Sequence, residues 1–304
     1  MNIFTLAQNS LLNHFTMKNK PLVSVLMTAY NREKYIAEAI ESVIVSTYQN
    51  WELIIVDDGS KDKTVEISKQ YEAKDERIKV YINEKNLGDY PNRNKAASYA
   101  KGKYLKYVDA DDLIYPHGLE QLVFYMEQFP KAAYGLCSLP QDNDLIYPFQ
   151  LSPQEAYYRH YFTNKWIFHK APLSSIIKKE FFDKVGGFSG KRMVGDFEMW
   201  HILSQKFNVL LMPAGIVWHR SHDEQEMNEV SKFYFDYHNV TFSFLQNDNC
   251  PLSEKEKQTA IKKTERKQAR YILRHLKSHG LKMGNTLRKQ AKMSWVETFK
   301  KAFQ

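Results

Sequence analysis

The sequence predicts an α/β protein, a mostly parallel central sheet flanked by helices and followed by a helical C-terminal extension. Three observations carry this. Short apolar runs alternate with segments of helical periodicity in units of roughly thirty residues, as in strand–helix–strand crossovers. The carboxyl ends of four such runs are polar, and two of them are acidic. Beyond residue 250 the strand signal gives way to helical apolar stripes set among basic side chains.

Residues 21–28 form a nearly continuous apolar strand, the kind buried on both faces. Ala29-Tyr30-Asn31-Arg32 breaks it, and residues 33–47 carry Ile36, Ile40, Val43 and Thr47 at helical spacing. Residues 51–56 read as a second strand ending at Asp57-Asp58-Gly59-Ser60. A helix follows through Val65, Ile67 and Tyr71, then a strand over 78–82 and a helix over 92–100. Residues 104–108 make the fourth strand and stop at Asp109-Ala110-Asp111-Asp112. Next come a helix over 116–129, a strand over 132–137 and an irregular aromatic-rich stretch over 141–170. A strand over 171–177 precedes a short helix through Phe181, Phe182 and Val185. A helix opens at Gly195-Asp196 with Trp200, Leu203 and Phe207 as its buried stripe, and residues 209–212 make a further strand.

In parallel sheets of this kind ligands sit at the carboxyl ends of the strands. Three acids within residues 109–112 repel one another unless a divalent cation or a cationic side chain stands between them. The alternative is a solvated acidic turn with Asp112 capping the next helix. No phosphate loop of the Gly-x-x-x-x-Gly-Lys-Ser/Thr type and no Gly-x-Gly-x-x-Gly follows the first strand, which argues against a P-loop ATPase and a dinucleotide-dependent dehydrogenase. Asp196, at a helix N-terminus, reads either as a capping residue or as a carboxylate base at the rim of a cleft. The aromatic rings of 141–170 serve either to stack on sugars or to fill a core.

The blocks Val-Ser-Val-Leu-Met-Thr-Ala-Tyr-Asn, Ile55-Val56-Asp57-Asp58-Gly59-Ser60, Asn86-Leu87-Gly88 with Arg93-Asn94, Asp109-Ala110-Asp111-Asp112, Gly195-Asp196 with Trp200, and Arg220-Ser221-His222 fall in one order across residues 21–222. In that order they resemble the inverting family 2 glycosyltransferases of the GT-A fold, which use nucleotide-diphosphate sugars. The resemblance implies a UDP-sugar donor and a glycan or lipid-linked glycan acceptor in surface polysaccharide synthesis. It implies Mn²⁺ or Mg²⁺ held by Asp111 and His222, with Asp109 on the ribose or the metal. Asp58 would accept the uracil N3–H, Tyr30 would stack on the base, and Thr28, Ala29, Asn86, Arg93 and Ala110 would complete the nucleotide site. Asp196 would be the general base. The sequence departs from the family pattern at Gly195, where Glu is usual, at Pro91-Asn92, and at His201-Ile202, where Arg often follows the Trp. A nucleotidyltransferase on a related fold, or a non-catalytic membrane-associated protein with a degenerate site, are the competing readings. The first would want a Gly-rich basic loop after the first strand, which Ala29-Tyr30-Asn31-Arg32 does not supply.

The resemblance places a catalytic domain at 17–222, with its nucleotide half at 21–112 and its acceptor half at 113–222. Residues 1–16 read as a disordered leader or an upstream start before Met17. The extension, 223–304, is basic: residues 251–304 hold 15 Lys or Arg against 4 Asp or Glu, within a chain of net charge +8. Its stripes Ala269, Ile272, Leu273, Leu276 and Met283, Leu287, Ala291, Trp295, Phe299, Phe303 fit helices packed on the body or on a second subunit. They also fit a helix lying on an anionic membrane with Trp and Phe inserted. No nucleic-acid-binding motif accompanies them. Two cysteines in 304 residues, Cys137 and Cys250, fit a reduced cytoplasmic protein, peripheral at the inner face of the membrane if the tail binds lipid.

Overall fold

A computed structural model of the chain describes residues 20–222 and 231–303. The leader expected over 1–16 lies outside the described residues. In chain order the elements are β1 (Val23–Ala29), α1 (Ile36–Ile44), β2 (Trp51–Asp57), α2 (Thr64–Glu72), β3 (Ile78–Ile82), α3 (Asp89–Tyr99), β4 (Tyr104–Tyr107) and β5 (Leu113–Ile114). There follow α4 (Gly118–Gln128), β6 (Ala132–Leu139), β7 (Phe149–Leu151), α5 (Pro153–Phe162), β8 (Ser175–Lys178), α6 (Lys179–Val185) and α7 (Gly195–Lys206). The last are β9 (Asn208–Pro213), β10 (Val217–Trp218), α8 (Tyr234–Leu245), α9 (Glu254–Gln290) and α10 (Trp295–Phe303). Among the described residues no helix is long and apolar enough to cross a membrane.

The chain divides into two compact units, and the first comprises Met1–Ser152, Lys170–Arg192 and Phe207–Ser221. Its eight-stranded sheet runs β3-β2-β1-β4-β8-β6-β9-β7. The first four strands are parallel, as their unbroken apolar runs require, since both faces are covered. Val23, Val25, Leu53, Ile55 and Tyr104 are fully buried. Helix α1 turns Ile36, Ala39, Ile40 and Val43 into the same core, one stripe at i, i+3, i+4, i+7. Antiparallel β8 separates β4 from β6, so the far half of the sheet is mixed.

Register levels the strand ends. Ala29 pairs with Asp57, Asp57 with Ile82, and the Val108 amide donates to the Leu26 carbonyl at 3.0 Å, which sets the turns after β1, β2, β3 and β4 side by side. Helix α3 enters this rim through Gly88, whose φ of 87° a β-carbon would resist. Pro91 lies in the first turn of α3, where its missing N–H costs no helical hydrogen bond.

Two expectations change in this unit. Asp112 does not cap the following helix. A two-residue strand, β5, intervenes and pairs antiparallel with β10, and α4 starts only at Gly118 after His117. The stretch 141–170 is not irregular throughout, for it contains β7 and α5.

The second unit comprises Pro153–His169, Met193–Lys206 and His222–Gln304. Its core forms around His201, with Tyr157, Phe168, Phe197 and Phe244 ringed about the imidazole at 4.4–5.6 Å between centroids. Tyr157 and Phe168 therefore fill a core, while Tyr158 and Trp166 remain exposed. Helix α9 opens on a reciprocal cap between Ser253 and Glu256, and its backbone leaves helical geometry at Gly280, φ 78°. Ala260, Ala269 and Ile272 give α9 its buried stripe, and Tyr271 stacks on Tyr234 of α8 at 3.8 Å.

Candidate active site

The turn after β2 is built on two carboxylates with different tasks. Asp57 Oδ2 accepts the Gly59 and Ser60 amides at 3.0 and 2.8 Å and so closes its own turn. Asp58, buried, reaches the next loop. Its Oδ1 accepts from Asn83 Nδ2 and the Leu87 amide at 2.8 Å each, and its Oδ2 from the Gly88 amide at 2.9 Å. A carboxylate has about four lone-pair sites, so one acceptor position is left for a further donor. Asn92 extends the network. Its Oδ1 accepts from Asn83, and its Nδ2 donates to the Val56 carbonyl at 3.0 Å. The turn after β1 is tied to the same rim, because the Asn31 amide donates to Ser60 Oγ and Asn31 Oδ1 accepts the Lys61 amide, both at 2.8 Å. Tyr30 stands out from this turn, 44% exposed.

At the end of β4 the three acids separate. Arg93 Nη1 donates to Asp109 Oδ1 at 2.6 Å, and Thr28 Oγ1 lies 3.4 Å from the same oxygen. Arg32 Nε donates to Asp111 Oδ2 at 2.8 Å. Asp112 turns inward, where its Oδ1 accepts the Arg220 amide at 2.8 Å. Arg220 braces the same turn with its side chain, Nε donating to the Asp111 carbonyl at 2.8 Å and Nη2 to Glu38 at 2.5 Å. The β5–β10 pairing delivers Arg220 to that position across more than a hundred residues of sequence. Asn86, exposed, accepts the Gly88 amide at 3.0 Å, and Ala110 is buried beneath the turn with its amide 3.4 Å from the Thr28 carbonyl.

Negative charge accumulates here. Burial, then the neighbouring Asp109 and Asp111 charges, push the Asp112 carboxyl up to about 8, against the pull of the Arg220 amide. Burial disfavours the Arg93 charge, but Asp109 and Asp89 outweigh it and hold its guanidinium well above the usual range. Three residues before Asp109, burial lowers Lys106 to about 8. Its ammonium donates to the carbonyls of Leu173 and Ser175.

Asp196 and His222 belong to the second unit. Asp196 stands in the first turn of α7, and its Oδ1 accepts the Phe197 amide at 2.6 Å. Tyr237 lies close enough that burial and the Asp196 charge both raise its phenol. His222 is half-buried, and the residues that follow it, 223–230, lie outside those described. His201, one of the departures from the family pattern, is a core residue. Its Nδ1 is 2.7 Å from the Phe197 carbonyl and its Nε2 is 2.7 Å from the Tyr161 hydroxyl.

The sequence thus located Thr28, Asp58, Arg93, Asp109 and Asp111 on one rim of the first unit. Arg32, Asn83, Asn92 and the bracing role of Arg220 were not foreseen. Arg32 had one available signal, as a cation directly after the first strand's turn in a site known to be acidic. Asn83 and Asn92 carried none, since a buried amide network has no spacing rule.

A family model described as Glycosyl transferase family 2 matches residues 24–186. The putative teichuronic acid biosynthesis glycosyltransferase TuaG of Bacillus subtilis is 41% identical over 143 residues, 46% of this chain and 56% of that protein. UDP-Glc:alpha-D-GlcNAc-diphosphoundecaprenol beta-1,3-glucosyltransferase WfgD of Escherichia coli is 35% identical over 144 residues, 47% of this chain and 56% of that protein. The chain spans less than two thirds of the length of the first relatives it matches, from 35% to 56%. Among solved structures, TarS of S. aureus in complex with UDP-GlcNAc superimposes with a TM-score of 0.62 at 20% identity, covering 84% of this chain and 72% of that one. Mannosyltransferase PcManGT from Pyrobaculum calidifontis, in complex with GDP-Man and Mn²⁺, gives 0.62 at 15% identity over 94% and 88%.

Proposed function

The chain belongs to glycosyl transferase family 2 and has a GT-A-type fold, and from that premise we propose that it moves a sugar from a UDP-sugar to a hydroxyl of a glycan or lipid-linked glycan, with inversion, in surface polysaccharide synthesis. The observation that carries the reading is the turn at the end of β4, where Asp109 and Asp111 each face a guanidinium beside Thr28 and Asp58. Support for a nucleotide-sugar donor comes from TarS and PcManGT, which bind UDP-GlcNAc and GDP-Man. Support for the acceptor class comes from the activities named for TuaG and WfgD.

In this reading the remaining acceptor position of Asp58 takes the uracil N3–H, and Tyr30 stacks on the base. Thr28, Ala29, Asn86, Arg93, Asp109 and Ala110 line the nucleotide. The donor set suits a hard divalent cation, Mn²⁺ or Mg²⁺, with Asp111 as the carboxylate ligand and His222 as the imidazole that Mn²⁺ accepts. Among the described residues no three carboxylate, imidazole or thiolate groups gather at one point. In this reading one or two protein groups would hold the cation, and donor phosphates and water would be its other ligands. The chemistry such a cation supplies is neutralisation of the charge that develops on the departing diphosphate.

Asp196 takes the acceptor hydroxyl's proton while that oxygen bonds to the anomeric carbon and the bond to the diphosphate breaks on the opposite face, which inverts the centre. The N-terminus of α7 favours the ionised carboxylate that a base requires. The test is a thermal-shift series of nucleotides and nucleotide sugars with and without Mn²⁺, followed by product detection with the stabilising donor. Stabilisation by UDP-sugars that depends on Mn²⁺, with transfer to a glycan acceptor, is expected. Indifference to every nucleotide would sink the proposal.

A further inference from the structure

We infer that the outer face of α10 is a docking surface for an anionic lipid bilayer. Helices of soluble proteins turn their apolar stripe inward. On α10 the inward residues are Thr298 and Ala302, both buried, whereas Val296, Phe299 and Phe303 point away, 78%, 49% and 81% exposed. These three positions, at i, i+3 and i+7, form one continuous ridge.

The ridge is held in place and does not belong to a loose segment. Ser294 and Glu297 cap the helix reciprocally, with the Ser294 amide donating to Glu297 at 2.7 Å and the Glu297 amide donating back to Ser294 Oγ at 3.1 Å. Trp295 Nε1 donates to Asn285 Oδ1 at 3.1 Å, Arg270 Nε to the Ala302 carbonyl at 3.0 Å, and Lys301 to Glu265 at 2.6 Å. Trp295, which the sequence left either packed on the body or a second subunit or inserted in a membrane, is therefore one of the anchors to α9. The inserting residues are Val296, Phe299 and Phe303.

Charge decides the occupant. Residues 281–303 carry six Lys or Arg against Glu297 alone. Lys300 lies on the ridge itself, and Lys282, Lys289 and Lys292 are exposed nearby in the chain. A second copy of the chain would bring this basic segment against its own like charge. Anionic headgroups complement it, and acyl chains accept the three apolar side chains.

The inference stands apart from the transfer reaction, because a chain that transfers no sugar can still bind lipid. The test is co-sedimentation of the full chain with phosphatidylcholine vesicles, with and without phosphatidylglycerol. Wild type is expected to partition onto the phosphatidylglycerol vesicles at least about tenfold more than onto neutral ones, and less as salt is raised. The triple variant V296S/F299S/F303S should lose at least about tenfold of that partition while still unfolding cooperatively, and V296S/F303S, which spares the half-covered Phe299 that meets the Trp295 ring, should lose part of it with little change in melting temperature. Equal binding by the triple variant, equal binding to neutral vesicles, or no binding by wild type would each overturn the inference. So would a dimer in sedimentation that the triple variant dissolves, which would assign the ridge to a second copy.

Discussion

Arg32 Nε donates to Asp111 Oδ2 at 2.8 Å, so the carboxylate proposed to hold a cation already holds a guanidinium. Both groups are partly open to solvent, at 22% and 14%. Water reaches both groups and screens the pair, whose contribution is on the order of 1 kcal/mol, little enough for a divalent ion to displace. Arg32→Ala removes the competing charge and is expected to tighten Mn²⁺ binding by up to about fivefold, read as loss of the free-ion EPR signal. Weaker Mn²⁺ binding would show instead that Arg32 positions Asp111 for the cation.

Arg93 differs in being buried, with its fork divided between Asp109 at 2.6 Å and Asp89 at 2.8 Å. Removing it takes from both carboxylates the buried guanidinium they share. Arg93→Met is expected to cost about 3 kcal/mol in urea unfolding. Arg93→Lys should recover only part of this, because a single ammonium cannot reproduce a planar fork that reaches two acids. Full recovery by Lys would contradict that geometry.

Asp196 is separable from nucleotide binding if it serves as the base. Asp196→Asn keeps the shape and the acceptor oxygen for the Phe197 amide but cannot take a proton. Turnover should fall by about 10²–10⁴-fold while the affinity for UDP with Mn²⁺ stays within about twofold. Near-normal turnover would remove Asp196 from the proposal.

What was legible in the sequence follows the range of the forces involved. Periodicity and unbroken apolar runs located β1 to β4 with their helices, because burial of a strand or stripe is written in consecutive residues. The rim acids were legible for the same reason, since a strand end is a local event. Asp112 was not. It reads locally as a cap, and only the pairing of β5 with β10, which brings Arg220 to it, shows another role. The aromatic stretch 141–170 hid α5 because its rings face both a core and solvent, which blurs the helical period. Likewise the sequence put Trp295, Phe299 and Phe303 on one stripe, whereas in α10 Trp295 packs and the two Phe rings are exposed to different degrees. Which face of a helix packs depends on what lies across from it, and no spacing rule states that.

The core histidine of the second unit leads to a pH dependence. His201 is fully buried, and the Phe197 carbonyl, which can only accept, requires the proton on Nδ1, so Nε2 accepts from the Tyr161 hydroxyl. Both bonds are satisfied by the neutral ring. Burial drives its pKa from 6.5 down to about 3, and buried His160 beside it is lowered well below 6.5 for the same reason. In the unfolded chain both rings protonate near 6.5. Between that value and about 3 the unfolded chain therefore binds more protons, and stability falls as pH drops through the window. For His201 alone the loss between pH 6.5 and pH 4 is about 3 kcal/mol. His201→Gln can still donate to the carbonyl and accept from Tyr161, but it does not titrate. Its melting temperature should start lower at pH 7 and decline less steeply toward pH 4.5 than that of wild type. Parallel declines in the two proteins would show that the acid sensitivity arises elsewhere.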